Sequence, residues 1–310
     1  AHEFSVNIGA IIERSSDEAV SQDRNDPKLE AAWQWADSID SLRARAIFQQ
    51  ASARTTALEE TGQVVAESTR STRALSGAWS HALNELDSIA IDLSLQSVSF
   101  SKQVQADFSN TNLSTRYTRR FSELMDGSLS FQSSLYRPDT SAAFPLIESS
   151  RTHSISLGMR RQLDAQLELQ GQLGALYIPG TRLRPDGTST WQGSIRLNHH
   201  GNRLSSGFEF ARAATVDNQL GGYSVNDALR IQGTYALTEN TSVGLRASHQ
   251  RTDGTQGGTT QSVGVDVQYQ LSEPWRISVN VQHRRASRVG QTEASSNLVG
   301  AQLLYTDPNL

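Results

Sequence analysis

The chain has 310 residues, with 28 Lys and Arg against 32 Asp and Glu and a formal net charge of −4, which argues against a nucleic-acid partner. Its 36% hydrophobic residues, 22 glycines, 7 prolines and absence of cysteine fit neither a disordered chain nor a disulfide scaffold. No run approaches the roughly 18 apolar residues that a membrane helix needs. A transmembrane barrel solves the same problem differently: only every second residue faces lipid, so the average stays polar while one wall is apolar. Ala1 reads as the residue left by cleavage after a small-residue site, so a processed chain is expected.

In chain order, the first run is Phe4, Val6, Ile8, Ala10 and Ile12, alternating with Ser5, Asn7, Gly9 and Ile11. Leu29, Ala31, Trp33 and Trp35 follow with the same period, then Leu42, Ala44, Ala46 and Phe48, then a weaker run over Arg73 to Leu83. Side chains alternate faces on a strand, so each run has one apolar and one polar wall. The rival for residues 27–85 is helical. Asp26-Pro27 suits a helix start and Ala57 to Ser68 is rich in helix formers. A helical plug or periplasmic segment would then precede twelve strands. A short helix inside the 55–72 loop fits both readings.

Further strands are expected near 88–101, 112–121, 127–137, 153–163, 165–178, 190–200, 203–214, 228–238, 241–252, 260–271, 275–286 and 296–306. The clearest are Leu229 to Leu237, Val263 to Leu271 and Ile277 to Val281. Each expected strand is about as long as a tilted strand needs to be to cross a bilayer. Connectors alternate as well. Ser38–Ser41, Asn84–Asp87, Asn198–Arg203 and Ser272–Pro274 are short, whereas Ser15–Lys28, Thr55–Thr72, Arg137–Thr152, Pro179–Thr190 and Val216–Asp227 are long. Short periplasmic turns and longer extracellular loops are the pattern of outer-membrane barrels. The reading is one all-β domain over 1–310, an antiparallel up-and-down barrel of sixteen strands.

Gly300, Leu303 and Tyr305 stand in the order Gly-x-x-hydrophobic-x-aromatic on the last expected strand. This resembles the terminal signal by which the barrel-assembly machinery recognises outer-membrane proteins. Leu298, where a polar residue is usual, and the tail Thr306 to Leu310 depart from that pattern. The whole chain resembles the Gram-negative outer-membrane β-barrels. By size and lumen character it is similar to the sixteen-strand porins associated with exopolysaccharide export. Aromatics agree with a membrane: Trp35, Trp79, Phe121, Tyr269 and Trp275 lie toward turn ends, and Phe48, Phe100, Tyr136, Tyr177 and Trp191 toward loop ends.

The polar wall carries the functional expectation. Its arginines are Arg43, Arg45, Arg116, Arg120, Arg160, Arg196, Arg230, Arg246, Arg276 and Arg284; its acids include Asp92, Glu168, Glu209 and Asp266, with many glutamines between. An Arg-lined aqueous channel attracts anions, and Arg and Gln offer hydrogen bonds to the hydroxyls and carboxylates of a sugar chain. The competing expectation is that the arginines pair with wall acids and merely brace the barrel. No HExxH or GxSxG motif is present and His199-His200 sits at a tight turn, so neither an enzyme nor a cofactor or metal site is expected. The sequence supports a monomeric channel exporting an acidic polysaccharide, with outer-membrane lipid and periplasmic export proteins as partners. Alternatives are a diffusion porin with Arg137–Thr152 folded inward on Phe144, Pro145 and Leu146, a plug-gated secretion channel, and an adhesive barrel acting through its acidic loops.

Overall fold

The structure is a computed structural model and describes residues 2–13, 24–53, 68–102, 106–139, 148–181, 186–216, 223–253, 257–288 and 293–305. The strands are β1 His2–Glu13, β2 Arg24–Ala36, β3 Asp40–Ser52, β4 Thr69–Ala82, β5 Asp87–Phe100, β6 Phe108–Ser122, β7 Met125–Pro138 and β8 Ser150–Gln162. They continue as β9 Leu167–Ile178, β10 Thr188–His200, β11 Leu204–Val216, β12 Tyr223–Ala236, β13 Thr241–Thr252, β14 Gly258–Ser272, β15 Trp275–Arg288 and β16 Ala294–Tyr305. All belong to one 16-stranded sheet whose order is the order of the sequence, as an up-and-down antiparallel chain requires.

The N-terminal runs are strands, which overturns the twelve-strand alternative with its plug-gated variant. β2 pairs with β3 from Lys28↔Gln49 to Ala36↔Ser41, and β3 pairs with β4 from Asp40↔His81 to Ser52↔Thr69. The register places Phe4 opposite Trp33, Val6 opposite Ala31 and Leu42 opposite Trp79, so the period-two apolar residues meet as cross-strand pairs. The Asp26-Pro27 helix start fails because Asn25 and Asp26 are already paired with Ile12 and Ile11. Most of the helix expected within 55–72 lies outside the described residues.

The alternation has a physical outcome. Large apolar side chains stand exposed along one face: Ile8 at 82%, Leu157 at 68% and Leu245 at 60%, with Leu75, Leu93, Leu129, Ile195 and Val265 on the same face of their strands. Water-soluble monomers rarely expose contiguous apolar patches beyond a few hundred Å². In a bilayer that face is solvated by lipid. Trp35, Trp79, Phe121, Tyr269 and Trp275 lie on it at the turn ends, with Phe121 60% and Tyr269 47% exposed.

The short turns are closed by acceptor side chains. The Asp37 carboxylate accepts the N–H of Asp40 at 2.8 Å and of Ile39 at 2.9 Å. Asn84 does the same for Leu86 and Asp87, and Asp164 for Gln166. These local bonds make Asn and Asp favourable at turns. In Asp37 the donation from Asp40, then from Ile39, holds the carboxyl below its ordinary value. Such a depressed group stabilises the turn above its unfolded pKa and loses that contribution as pH falls through the folded one.

The fold divides into two compact units. Unit 1 comprises Ala1–Gly158, Gly174–Trp191 and Ala214–Tyr223; unit 2 comprises Met159–Leu173, Gln192–Ala213 and Ser224–Leu310.

The alternation of turns and loops predicts sidedness. Cysteines replacing the exposed Lys102 and Asp186 on the loop side should react with an impermeant thiol reagent on intact cells. Cysteines replacing the exposed Ser38 and Glu85 on the turn side should react after the outer membrane is opened. The reverse labelling pattern would reject the orientation.

Candidate functional site

Opposite the apolar face runs a polar one, and the expected arginines and acids lie on it. Ile195 and Leu197 are exposed on the apolar face of β10, so Arg196 between them points the other way; Arg230, Arg246 and Arg276 follow by the same alternation on β12, β13 and β15. Arg43 and Arg45 on β3, Arg116 and Arg120 on β6, Arg160 on β8 and Arg284 on β15 are also on this face. Most of these arginines occupy the turn halves of their strands.

Their partners divide them. In unit 1, Arg45 meets Glu30 at 2.7 Å, while Arg120 is 4.0 Å from Asp126. Arg116 donates to the Ser130 hydroxyl at 3.3 Å. Asp92 accepts from Ser114 at 3.2 Å. In unit 2, Arg196 meets Glu209 at 3.0 Å and Arg246 meets Asp266 at 2.8 Å. Glu168 accepts from Gln170 at 2.5 Å. Arg276 donates to the Gln270 amide oxygen at 3.0 Å. Arg230 has no carboxylate partner among the described residues. Bracing therefore accounts for Arg45, Arg196 and Arg246. It does not account for Arg116, Arg230 or Arg276.

The loop half of the polar face in unit 1 has a different character, and sequence reasoning misplaced it. Phe100 and Tyr136 do not belong to the aromatic girdle in which their position toward the loop ends put them. They lie instead on the polar face, because Leu95 on β5 and Phe131 on β7 fix the opposite parity as outward. Tyr136 is 0% exposed and packs with Val98, Ala106 and Phe108, with Phe100 and Tyr223 against the cluster. The Phe108 and Tyr136 rings are 5.4 Å apart, and the Tyr223 ring meets Tyr136 edge-on at 6.4 Å.

Tyr223 opens β12, which is adjacent to neither β6 nor β7 in the sheet order, so its contacts with them lie outside the strand ladder. Its hydroxyl donates at 2.8 Å to Ser134 and lies 3.1 Å from the Asn110 amide oxygen; Ser134 in turn donates to Asn110 at 3.1 Å. A tyrosine hydroxyl has one proton, so the triangle is a relay from Tyr223 to Ser134 to Asn110. Buried Thr152, Ser154 and Ser156 on β8 lie on the same face, and Gly174 on β9 permits close approach there: a Cβ would meet the Ile155 carbonyl oxygen and would stand 2.5 Å from the Ser156 Cβ. Phe144, Pro145 and Leu146, the expected infolded constriction, lie outside the described residues.

Gly300 and Leu303 of the terminal motif lie on β16, with Gly300 opposite Asn280, Leu303 opposite Ile277 and Tyr305 opposite Trp275. Leu303 is 58% exposed on the apolar face, whereas Leu298 is exposed on the polar one. The tail from Thr306 to Leu310 lies outside the described residues.

No protein-family model matches the chain, and no curated protein matches it in sequence. Solved structures do match. The FrpB iron transporter of Neisseria meningitidis in its apoprotein form is 10% identical, with a TM-score of 0.53 over 92% of this chain and 56% of that one. The copper transporter OprC is 8% identical, with a TM-score of 0.53 over 95% of this chain and 57% of that one. The alcaligin outer-membrane receptor FauA of Bordetella pertussis is 10% identical, with a TM-score of 0.50 over 98% of this chain and 60% of that one. The chain thus spans under two thirds of the length of these structures. At such identities the likeness concerns the fold. Sixteen sequential antiparallel strands with a lipid-suited apolar face make this an all-β transmembrane up-and-down barrel, a fold similar to that of the outer-membrane receptor FauA.

Proposed function

We propose that residues 1–310 act as one barrel domain, a non-enzymatic transport channel for anionic solutes, and that the cargo is an acidic polysaccharide leaving the cell. The observation that carries this reading is the charge balance of the polar face in unit 2. Arg160, Arg196, Arg230, Arg246, Arg276 and Arg284 face Glu168, Glu209 and Asp266, although the chain as a whole is net −4. Positive charge confined between low-dielectric walls concentrates anions. Its concentration in the turn halves favours capture from the periplasmic side, as export requires. Glutamines beside the arginines suit sugar hydroxyls. In this reading the barrel-assembly machinery inserts the chain, and periplasmic export proteins deliver the polymer.

A second reading is uptake of a metal complex, and the fold likeness to an iron and a copper transporter favours it. Among the described residues no group of three or more His, Asp and Glu could hold a bare metal ion, so the cargo there would be an anionic complex. An unrestricted diffusion porin is disfavoured by the closed aromatic cluster around Tyr136.

Planar-bilayer recording tests the proposal. An acidic oligosaccharide added on the turn side should block conductance at concentrations where a neutral one of equal length does not. Equal block by both would reject the acidic cargo. Tyr223→Ala should raise conductance severalfold by removing the ring that closes on Tyr136, and Tyr223→Phe, which loses the hydroxyl relay alone, should raise it less. Unchanged conductance in Tyr223→Ala would mean that the aromatic cluster does not limit the path.

A further inference from the structure

We infer that the lipid-facing wall of unit 1, just beyond its apolar belt at the loop end, binds phosphate groups of an outer-leaflet glycolipid through Arg73, Arg137 and Arg151. This rests on the outer-membrane placement with the long loops outside.

The alternation that sends Arg116 inward sends these three outward. Arg73 on β4 is two residues from the exposed Leu75, Arg137 on β7 six beyond the exposed Phe131, and Arg151 on β8 four before the exposed Ile155. A strand advances about 3.3 Å per residue, so the guanidinium groups stand at the headgroup level rather than among acyl chains. All three residues are exposed, and none has a carboxylate partner among the described residues. Cross-strand partners run from Arg73 to Ser97, from Ser97 to Ser109 and from Ser109 to Arg137, which links two arginines through outward hydroxyl residues. Strands lie about 4.8 Å apart, so Arg73 and Arg137 are roughly 15 Å apart at the backbone. Arg151 lies near the loop end of β8, the next strand in the sheet order.

Unit 2 supplies an internal comparison. Its outward loop-end arginines are neutralised by protein: Arg212 by Asp227 at 2.8 Å, Arg251 by Asp253 at 3.4 Å, and Arg285 by Glu293. In unit 1 the described outward band carries hydroxyls and His153 but no acid within β4 to β8 at this level. The nearby acids lie beyond the strand ends. Asp107 accepts the Phe100 N–H at 2.8 Å, and Asp139 and Glu148 flank the β7–β8 connection. Arginines lacking an internal acid, set beside lipid, match a phosphorylated sugar headgroup: guanidinium forks bind phosphate, and serines bind sugar hydroxyls.

The test uses the full chain in bilayers containing a diphosphorylated glycolipid, its dephosphorylated form, or phosphatidylglycerol. After detergent exchange, the lipid retained is measured by native mass spectrometry. The wild-type chain should retain the diphosphorylated glycolipid about tenfold better than the dephosphorylated one, and Arg73→Gln/Arg137→Gln/Arg151→Gln should lose that preference. Arg251→Gln/Arg285→Gln should keep it. Retention of the preference in the triple variant, no preference in the wild type, or equal retention of phosphatidylglycerol overturns the proposal. Heat-modifiable mobility shows whether the variants fold, and Arg137→Gln alone should give a partial loss if the triple variant does not. Failure of the membrane placement itself would appear separately, in the cysteine labelling.

Discussion

Deleting residues 303–310 is expected to lower the assembled, heat-modifiable form of the protein in cells by at least about tenfold, because a spanning strand cannot leave backbone groups unpaired in lipid. The deletion removes Leu303, Leu304 and Tyr305, the ladder partners of Ile277, Arg276 and Trp275. The first turn-side residues of β15 would then present open N–H and C=O groups at the membrane, each costing several kcal/mol in hydrocarbon. The exposed Leu303 and the Tyr305 position, which resemble the assembly signal, are lost together. Gly300 belongs to the same unit for a steric reason: a Cβ there would stand 2.5 Å from the Asn280 amide oxygen, so Gly300→Val should lower assembly less severely. Gel mobility with and without heating, compared with surface labelling, measures both. Full assembly of the truncated chain would show that neither the motif nor the closing rungs of β15 and β16 are required.

Ion selectivity should respond to polar-face charges with opposite signs for opposite residues. Arg230 lacks a carboxylate partner among the described residues, and Arg276 is bound to the neutral Gln270. Changing both to Gln removes two unneutralised charges, and the ratio of anion to cation permeability should fall about threefold or more where the wall focuses potential. Asp266→Asn releases Arg246 from a 2.8 Å pair, and Glu209→Gln releases Arg196 from a 3.0 Å pair, so these variants should become more anion-selective. Arg196→Gln should also favour cations, by exposing Glu209. All of these shifts should shrink as salt approaches about 1 M, where the screening length falls to about 3 Å. Reversal potentials in a salt gradient measure the effect. If the arginine and acid variants move selectivity the same way, or not at all, the polar face does not govern permeation, and the acidic cargo loses its support.

The strand count, the faces and the ladder order were legible in the sequence. Period two specifies a face whenever one wall must meet lipid. On β14 the side chains of Val263, Val265 and Val267 are exposed on the apolar face, and a one-residue slip would turn all three inward. The same rule places Arg196, Arg230, Arg246 and Arg276 on the polar wall. It also places Tyr136: on β7, Leu129 and Phe131 point outward, so Tyr136 must point inward and cannot belong to the girdle.

What the sequence could not give is which residues meet across the sheet. Periodicity is a local property, fixed by Cβ directions along one strand. Ion pairing between adjacent strands depends on register, and register decides that Arg196 is opposite Glu209 while Arg230 is opposite Ser248. The contact of Tyr223 with Asn110, 113 residues earlier in the chain, depends on strands that share no ladder, so no spacing in the sequence encodes it. By itself the sequence determined strands with an apolar face suited to lipid and an opposite face that bears the arginines. The tertiary structure decided which of those charges remain unneutralised, and that an aromatic cluster closes over the polar face of unit 1, because both depend on distances between segments remote in the chain.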